Sequence, residues 1–231
     1  MINIDGDFLL IDKPYTWTSF QVVKRLKYLI GKQYHIKKFK IGHAGTLDPL
    51  ATGLLIVCIG KFTKKIEQFQ ASEKEYTGTF ILGATTASYD REKPVNETFP
   101  FAHITQEQIY SLAKAMTGEL EQVPPIFSAV KVNGKRAYKL ARAESDVALQ
   151  PKKITISEFE ITNIALPQVD FRIVCSKGTY IRSIARDFGT ELNSGAYLAA
   201  LRRTRIGDFT IEKATTMDDI EQNLNAPADS I

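Results

Sequence analysis

The sequence predicts an α+β fold, with a mixed, largely antiparallel central sheet flanked by helices. Three observations lead there. Segments of strand and of helical periodicity alternate irregularly along the 231 residues, without a regular strand–helix–strand series. Several connections are of hairpin length, the clearest at Asn133-Gly134, a dipeptide suited to a two-residue hairpin turn. No internal repeat, low-complexity stretch or Gly/Ser linker divides the chain, so a single domain over residues 1–231 is expected.

Residues 8–11, F-L-L-I, read as a short strand, and Asp12-Lys13-Pro14 as a turn. Thr18 or Ser19 can cap a helix carrying Val22, Val23, Leu26, Leu29 and Ile30 at helical spacing, with Gly31 as its stop. Residues 32–40 form a basic loop or edge strand. A loop over residues 42–53 then feeds the fully apolar strand 54–59. A short helix with Phe62, Ile66 and Phe69 inward is expected over 61–70, and a strand over 75–86. Residues 88–100 are polar and read as an exposed loop.

Thr105 caps a helix whose apolar face is Ile109, Leu112, Ala113 and Met116, with Gly118 at its end. Pro124-Pro125 breaks the chain before the Asn133-Gly134 hairpin, and a short helix is expected over 137–144. Two long strands, 153–166 and 169–176, join at Pro167. Thr179 can cap a helix bearing Ile181, Ile184, Ala185, Phe188 and Leu192. A final strand over 198–206, a turn at Gly207-Asp208 and a short helix over 217–224 close the chain.

Hydrophobic residues make up 44% and charged residues 24%, the balance of a globular chain rather than a disordered one. Cys58 and Cys175 lie in apolar runs and read as reduced core residues. The two Cys and three His offer no zinc spacing. No apolar run reaches membrane-spanning length, and the acidic N-terminus lacks the positive charge of a signal peptide, so a cytoplasmic protein is expected.

The net charge of +4 is unevenly spread. Between Lys13 and Lys65 stand eleven Lys or Arg and one carboxylate, Asp48, whereas the chain from Met217 onward has acids and no base. Such asymmetry points to a nucleic acid or another polyanion as partner. Asp48 sits in G-H-A-G-T-L-D-P-L-A-T-G-L-L, residues 42–55. Asp before Pro alone is a turn signal. An acid alone in a basic field, however, stays ionised and can act as nucleophile or base.

Three further segments join polar groups to turns: Tyr76 at the head of a strand, C-S-K-G-T-Y-I-R with Tyr180 and Arg182, and Leu201-Arg202-Arg203, whose arginines suit phosphates. A metal-dependent nuclease would need clustered acids. The G-x-x-x-x-G-K-[ST] nucleotide loop is absent. One carboxylate beside aromatic rings suits attack on a sugar or an electrophilic base.

The 42–55 stretch closely resembles the signature of the bacterial tRNA pseudouridine synthase B family. L-L-I-D-K-P, E-K-E-Y-T-G, P-P-I-F-S-A-V-K-V-N-G-K-R-A-Y-K-L-A-R and C-S-K-G-T-Y-I-R-S-I-A-R-D-F-G resemble that family too, in its order. The resemblance runs from about Phe8 to about Leu224. It implies a pseudouridine synthase-like fold and conversion of the T-loop uridine of tRNA to pseudouridine. Asp48 would be the nucleophile, with Arg182 pairing to it. Tyr76 would stack on the flipped base and help move its proton. Tyr180 would contact the target nucleotide, His43 would occupy or open the site, and Leu201 would line the base pocket. Lys24, Lys38, Lys40, Arg202 and Arg203 are expected on the RNA. No metal, organic cofactor, membrane or obligatory protein partner is implied. A related reading is the catalytic subunit of a guide-RNA machine, and a reading from another class is a non-catalytic tRNA-binding or RNA-folding protein. Phe127 stands where the family often has Tyr, and the C-terminal RNA-binding module of longer relatives is expected to be absent.

Overall fold

The structure, a computed structural model, describes residues 2–127, 131–132, 135–136 and 149–225. Chain contacts divide it into two compact units. The first holds residues 1–76 and 202–231, the second residues 77–201.

The first unit is built on strand β3 (Ala51–Gly60), which pairs antiparallel with β1 (Gly6–Lys13) and with β2 (Ile41–Ala44). β12 (Ala196–Ile206), which enters from the second unit, also neighbours β3. Two short strands finish this side: β13 (Phe209–Thr210) on β12, and β14 (Thr215–Thr216), parallel to β1. The L-L-I-V-C-I run is apolar throughout because β3 is covered on both faces. Leu55, Val57 and Ile59 pack with Val22, Leu26 and Ile30 of helix α1 (Ser19–Gln33) and with Met217 and Ile220 of helix α5 (Met217–Asn225). Leu54, Ile56 and Cys58 face the other way, toward Phe8, Phe62, Phe69 and Phe209. Burial pushes the Cys58 thiol up to about 11, as expected of a reduced core cysteine.

Residues 61–70 split into a 3-10 turn (Lys61–Lys65) and helix α2 (Ile66–Ala71). Thr18 caps α1 through a capping box with Gln21. Gly31 does not stop α1, which continues to Gln33. A glycine is needed there because the chain folds back: a Cβ would lie 2.9 Å from the Ile36 carbonyl oxygen.

In the second unit the sheet order is β4 (Lys74–Leu82, continuing from the first unit), β11 (Gln168–Cys175), β10 (Lys152–Ala165) and β7 (Gly118–Gln122). Helices α3 (Gln106–Ala115) and α4 (Ile181–Glu191) accompany it. Phe80 and Phe171 stack with ring centres 4.2 Å apart, and Phe159 and Phe188 complete the cluster. The strand expected over 75–86 is broken at Gly83, whose φ is +83°, into β4 and β5 (Ala84–Thr86). The polar 88–100 run is not all loop, since β6 (Val95–Thr98) pairs antiparallel with β5. The predicted hairpin is present as β8 (Lys131–Val132) and β9 (Lys135–Arg136). The helix expected over 137–144 lies outside the described residues. Among the described residues, no helix is long and apolar enough to cross a membrane.

Candidate active site

Asp48 lies in the loop between β2 and β3, in the first unit. The loop is held by three side chains from other elements. Ser19, 1% exposed at the start of α1, donates its hydroxyl to the Leu47 carbonyl (3.1 Å) and accepts the Leu47 N–H (2.9 Å). The buried Lys13 ammonium, at the end of β1, donates to the carbonyls of Pro14 (2.9 Å), Trp17 (2.6 Å) and Pro49 (3.3 Å). Arg203, on β12 and 1% exposed, donates Nε to the Leu54 carbonyl (2.8 Å) and Nη2 to the Gly45 carbonyl (3.0 Å). These contacts fix the residues on both sides of Asp48. Two glycines make the arrangement feasible. Gly45 has φ +90°. Gly53 has φ +102°, and a Cβ on it would lie 2.3 Å from the Arg203 carbonyl oxygen.

Arg203 was expected on phosphate, and the structure corrects this. Its guanidinium is buried and bonded to loop carbonyls, so its positive charge serves the interior of the loop. Arg202 is half-exposed and forms a two-point ion pair with Asp12 (2.6 and 3.1 Å), so its charge is shared before any RNA arrives. Lys24, Lys38 and Lys40 are exposed, as phosphate contacts require.

Electrostatics inside the loop follow from this burial. Desolvation lowers the Lys13 pKa to about 8, and the charge of Arg203 adds to the fall; Asp48 and Asp12 oppose it. His43, on β2, is also pushed below its ordinary value, first by burial and then by Arg203, which keeps its ring neutral at pH 7. Its Nδ1 is buried with no hydrogen-bond partner among the described residues.

Tyr76 is 8% exposed on β4, on the same strand face as Lys74 and Phe80. Two residues further on, in the second unit, Gly78 allows a close approach of backbone: a Cβ there would lie 2.4 Å from the Ala200 carbonyl oxygen. Leu201, next along β12, is half-buried.

Tyr180 and Arg182 belong to the second unit, at the start of α4. Thr179 does not cap this helix; its hydroxyl donates to the Ser176 carbonyl (3.0 Å) and closes the preceding turn. Tyr180 holds the cap position, and buried Gln122 clamps its backbone. The Tyr180 N–H donates to Gln122 Oε1 (2.8 Å), and Gln122 Nε2 donates to the Tyr180 carbonyl (3.1 Å). Arg182 is buried. It ion-pairs with Asp90 (3.7 Å) and donates to the carbonyls of Ser88 (3.2 Å) and Phe127 (2.9 Å). Among the described residues, no three His, Cys, Asp or Glu side chains are grouped to hold a metal ion.

Residues 32–181 match the family model described as TruB family pseudouridylate synthase, N-terminal domain. The chain belongs to the TruB family. Residues 182–229 match a second model, the tRNA pseudouridylate synthase B C-terminal domain. The chain is 56% identical over 222 residues to the tRNA pseudouridine synthase B of Flavobacterium johnsoniae, covering 96% of this chain and 97% of that one. It is 51% identical over 221 residues to the protein of that name from Phocaeicola vulgatus, covering 96% and 94%. Among solved structures it is similar to a Cbf5-Nop10-Gar1 complex, with TM-score 0.71 and 29% identity over 95% of this chain and 54% of that one. It is also similar to an H/ACA ribonucleoprotein bound to a substrate RNA containing 2′-deoxyuridine, with TM-score 0.67 and 26% identity over 94% and 53%. The chain thus spans about half the length of those solved chains.

Within this TruB chain, four positioning side chains were not singled out from sequence: Ser19, Lys13, Gln122 and Asp90. Lys13 had a signal, a lysine ending an apolar strand just before Pro14. Ser19 was visible only as a rival to Thr18 for the helix cap. Gln122 and Asp90 sit in polar stretches where nothing separates them from surface residues.

Proposed function

We propose that this chain isomerises the T-loop uridine of tRNA, position 55 in standard tRNA numbering, to pseudouridine, with Asp48 as nucleophile. The observation that carries the reading is the fixing of the Asp48 loop. A buried serine, lysine and arginine hold the residues on either side of one acid, in a chain whose relatives are named for this reaction. Pre-organisation of this kind is what a reacting carboxylate needs, because misplacement by about 1 Å can cost about 10²-fold in rate.

The reaction breaks the N1–C1′ bond and forms a C5–C1′ bond. A proton leaves C5 and one is gained at N1, so product and substrate are isomers. Asp48 can attack C1′, attack C6, or act through a glycal after deprotonation; all three routes use the same carboxylate. The base must first leave its stack. Stacking on the Tyr76 ring offsets part of that cost, at about 1–3 kcal/mol per base, and its hydroxyl assists proton removal from C5. Tyr180 contacts the target nucleotide, and Leu201 lines the pocket for its base. Lys24, Lys38 and Lys40 meet the RNA backbone, and recognition of a T loop by shape and splayed bases suits such a surface. The enzyme acts on tRNA in the cytoplasm without an obligatory protein partner.

The test is incubation of the purified chain with unmodified tRNA, followed by mapping of pseudouridine. The reading expects conversion of one T-loop uridine. No conversion, or conversion elsewhere, overturns it. A second reading, the catalytic subunit of a guide-RNA machine, draws on the similarity to the Cbf5-containing complex. It expects no conversion until a guide RNA is supplied.

A further inference from the structure

We propose that Tyr15 and Phe20 form an aromatic platform, beside the Asp48 loop, on which an unpaired base of the substrate RNA stacks. The inference rests on the tRNA reading above and adds a subsite to it.

The β1–α1 connection and the first turn of α1 carry three aromatic side chains within six residues: Tyr15, Trp17 and Phe20. They are sorted differently. Trp17 packs against the core of the first unit. Phe20 is 70% exposed and Tyr15 is 53% exposed. Neither ring therefore contributes much to the core, although phenylalanine is a residue type that normally seeks it.

Their position is set by the same contacts that hold the Asp48 loop. Phe20 follows Ser19, whose hydroxyl is bonded to both backbone groups of Leu47, the residue before Asp48. Tyr15 follows Pro14, whose carbonyl shares the Lys13 ammonium with that of Pro49, the residue after Asp48. Each exposed ring thus stands one residue from a bonded junction with a neighbour of the nucleophile. Both rings are thus carried by segments bonded to the loop that holds Asp48.

The surroundings fit nucleic acid rather than protein. Helix α1 contains no Asp or Glu, and exposed Lys24 lies one turn from Phe20, with exposed Lys27 beyond it. Aromatic faces joined to ammonium groups are the means by which proteins hold single-stranded segments: the ring takes the base and the cation takes the adjoining phosphate. A protein partner would call for a wider apolar patch than two rings set among lysines.

The test measures binding and turnover of an unmodified T-arm stem-loop by the full chain and by Phe20→Ala, Tyr15→Ala and Phe20→Trp. Both rings are exposed, so melting temperatures stay at the parent value. Each alanine variant should weaken binding by about fivefold to a hundredfold, the range for one lost base stack. KM should rise with kcat within about twofold of the parent. The slope of log affinity against log salt should not change, because no phosphate contact is removed. Phe20→Trp should bind within about twofold of the parent. Alanine variants that both bind within twofold overturn the platform. So does a weakened affinity whose salt slope has flattened, since the rings would then act only by placing the lysines. A parent chain that does not convert the RNA overturns the functional reading itself; an active parent with unaffected variants overturns the platform alone.

Discussion

Replacing Ser19 with Ala removes one hydroxyl and leaves two buried backbone groups behind. In the intact chain that hydroxyl donates to the Leu47 carbonyl at 3.1 Å and accepts the Leu47 N–H at 2.9 Å. Leu47 is buried, so solvent does not replace these bonds at once. An unsatisfied buried polar group costs about 1–3 kcal/mol. Two groups, partly relieved by local relaxation, put the loss at about 2–4 kcal/mol. At about 2–4 °C per kcal/mol for a chain of this size, the melting temperature should fall by about 5–15 °C. The kinetic consequence is separate. Asp48 follows Leu47 directly, and a shift of about 1 Å in a reacting group costs about 10²-fold. We therefore expect kcat to drop by about 10- to 100-fold well below the melting temperature, with KM within about threefold. Thermal denaturation gives the first number. Release of tritium from C5-labelled uridine in tRNA, measured in single turnover, gives the second. A variant that melts lower yet keeps its parent kcat would show that Ser19 supports the fold and not the placement of Asp48.

The pH profile should report Lys13. As pH rises through about 8, the ammonium loses its proton, and with it one of three donated bonds and a positive charge facing Asp48, so activity should fall there. Lys13→Arg stays charged and should lose this basic limb; a profile unchanged by the substitution would remove Lys13 from the account. The same shift carries a stability sign. Between about pH 8 and 10.5 the unfolded chain holds this proton more tightly than the folded one, so the Lys13 contribution to stability becomes more favourable as pH rises through that window. Tyr76→Phe should lose turnover through the hydroxyl, whereas Tyr76→Leu should also weaken retention of the flipped base; normal turnover by the Phe variant would leave only the stacking role. Neutralising exposed Lys37, Lys38 and Lys40 together should raise KM more than it lowers kcat and should flatten the salt dependence of binding; an unchanged slope would make them bystanders.

Much of this fold was legible because burial writes itself into periodicity. Strand β3 is apolar at every position from Leu54 to Ile59 because both its faces are covered. The α1 stripe of Val22, Val23, Leu26 and Ile30 is the face that packs on it. Elements without such a pattern were not legible. β6 (Val-Asn-Glu-Thr) is exposed on every residue, and β7 (Gly-Glu-Leu-Glu-Gln) owes its place to pairing with β10. Gly31 read as a helix stop because a glycine near a helix end usually is one; the Ile36 carbonyl that requires it comes from a fold-back that no local pattern announces. In the site, Asp48 stood out as the one acid of a basic segment. Arg203 looked the same as a phosphate-binding arginine, because sequence gives the charge of a guanidinium and not the carbonyls that surround it. Ser19 was hidden for a related reason: its partner is a backbone 28 residues away.

The most direct measurement is tritium release from C5-labelled T-loop uridine in unmodified tRNA by the parent chain and by Asp48→Asn, alongside the affinity of each for that tRNA. The substitution changes one oxygen of a half-buried side chain, so binding should stay within about threefold, while removal of the nucleophile should abolish release altogether. Release by the Asn variant at a tenth of the parent rate or more would contradict the assignment of Asp48 as the nucleophile.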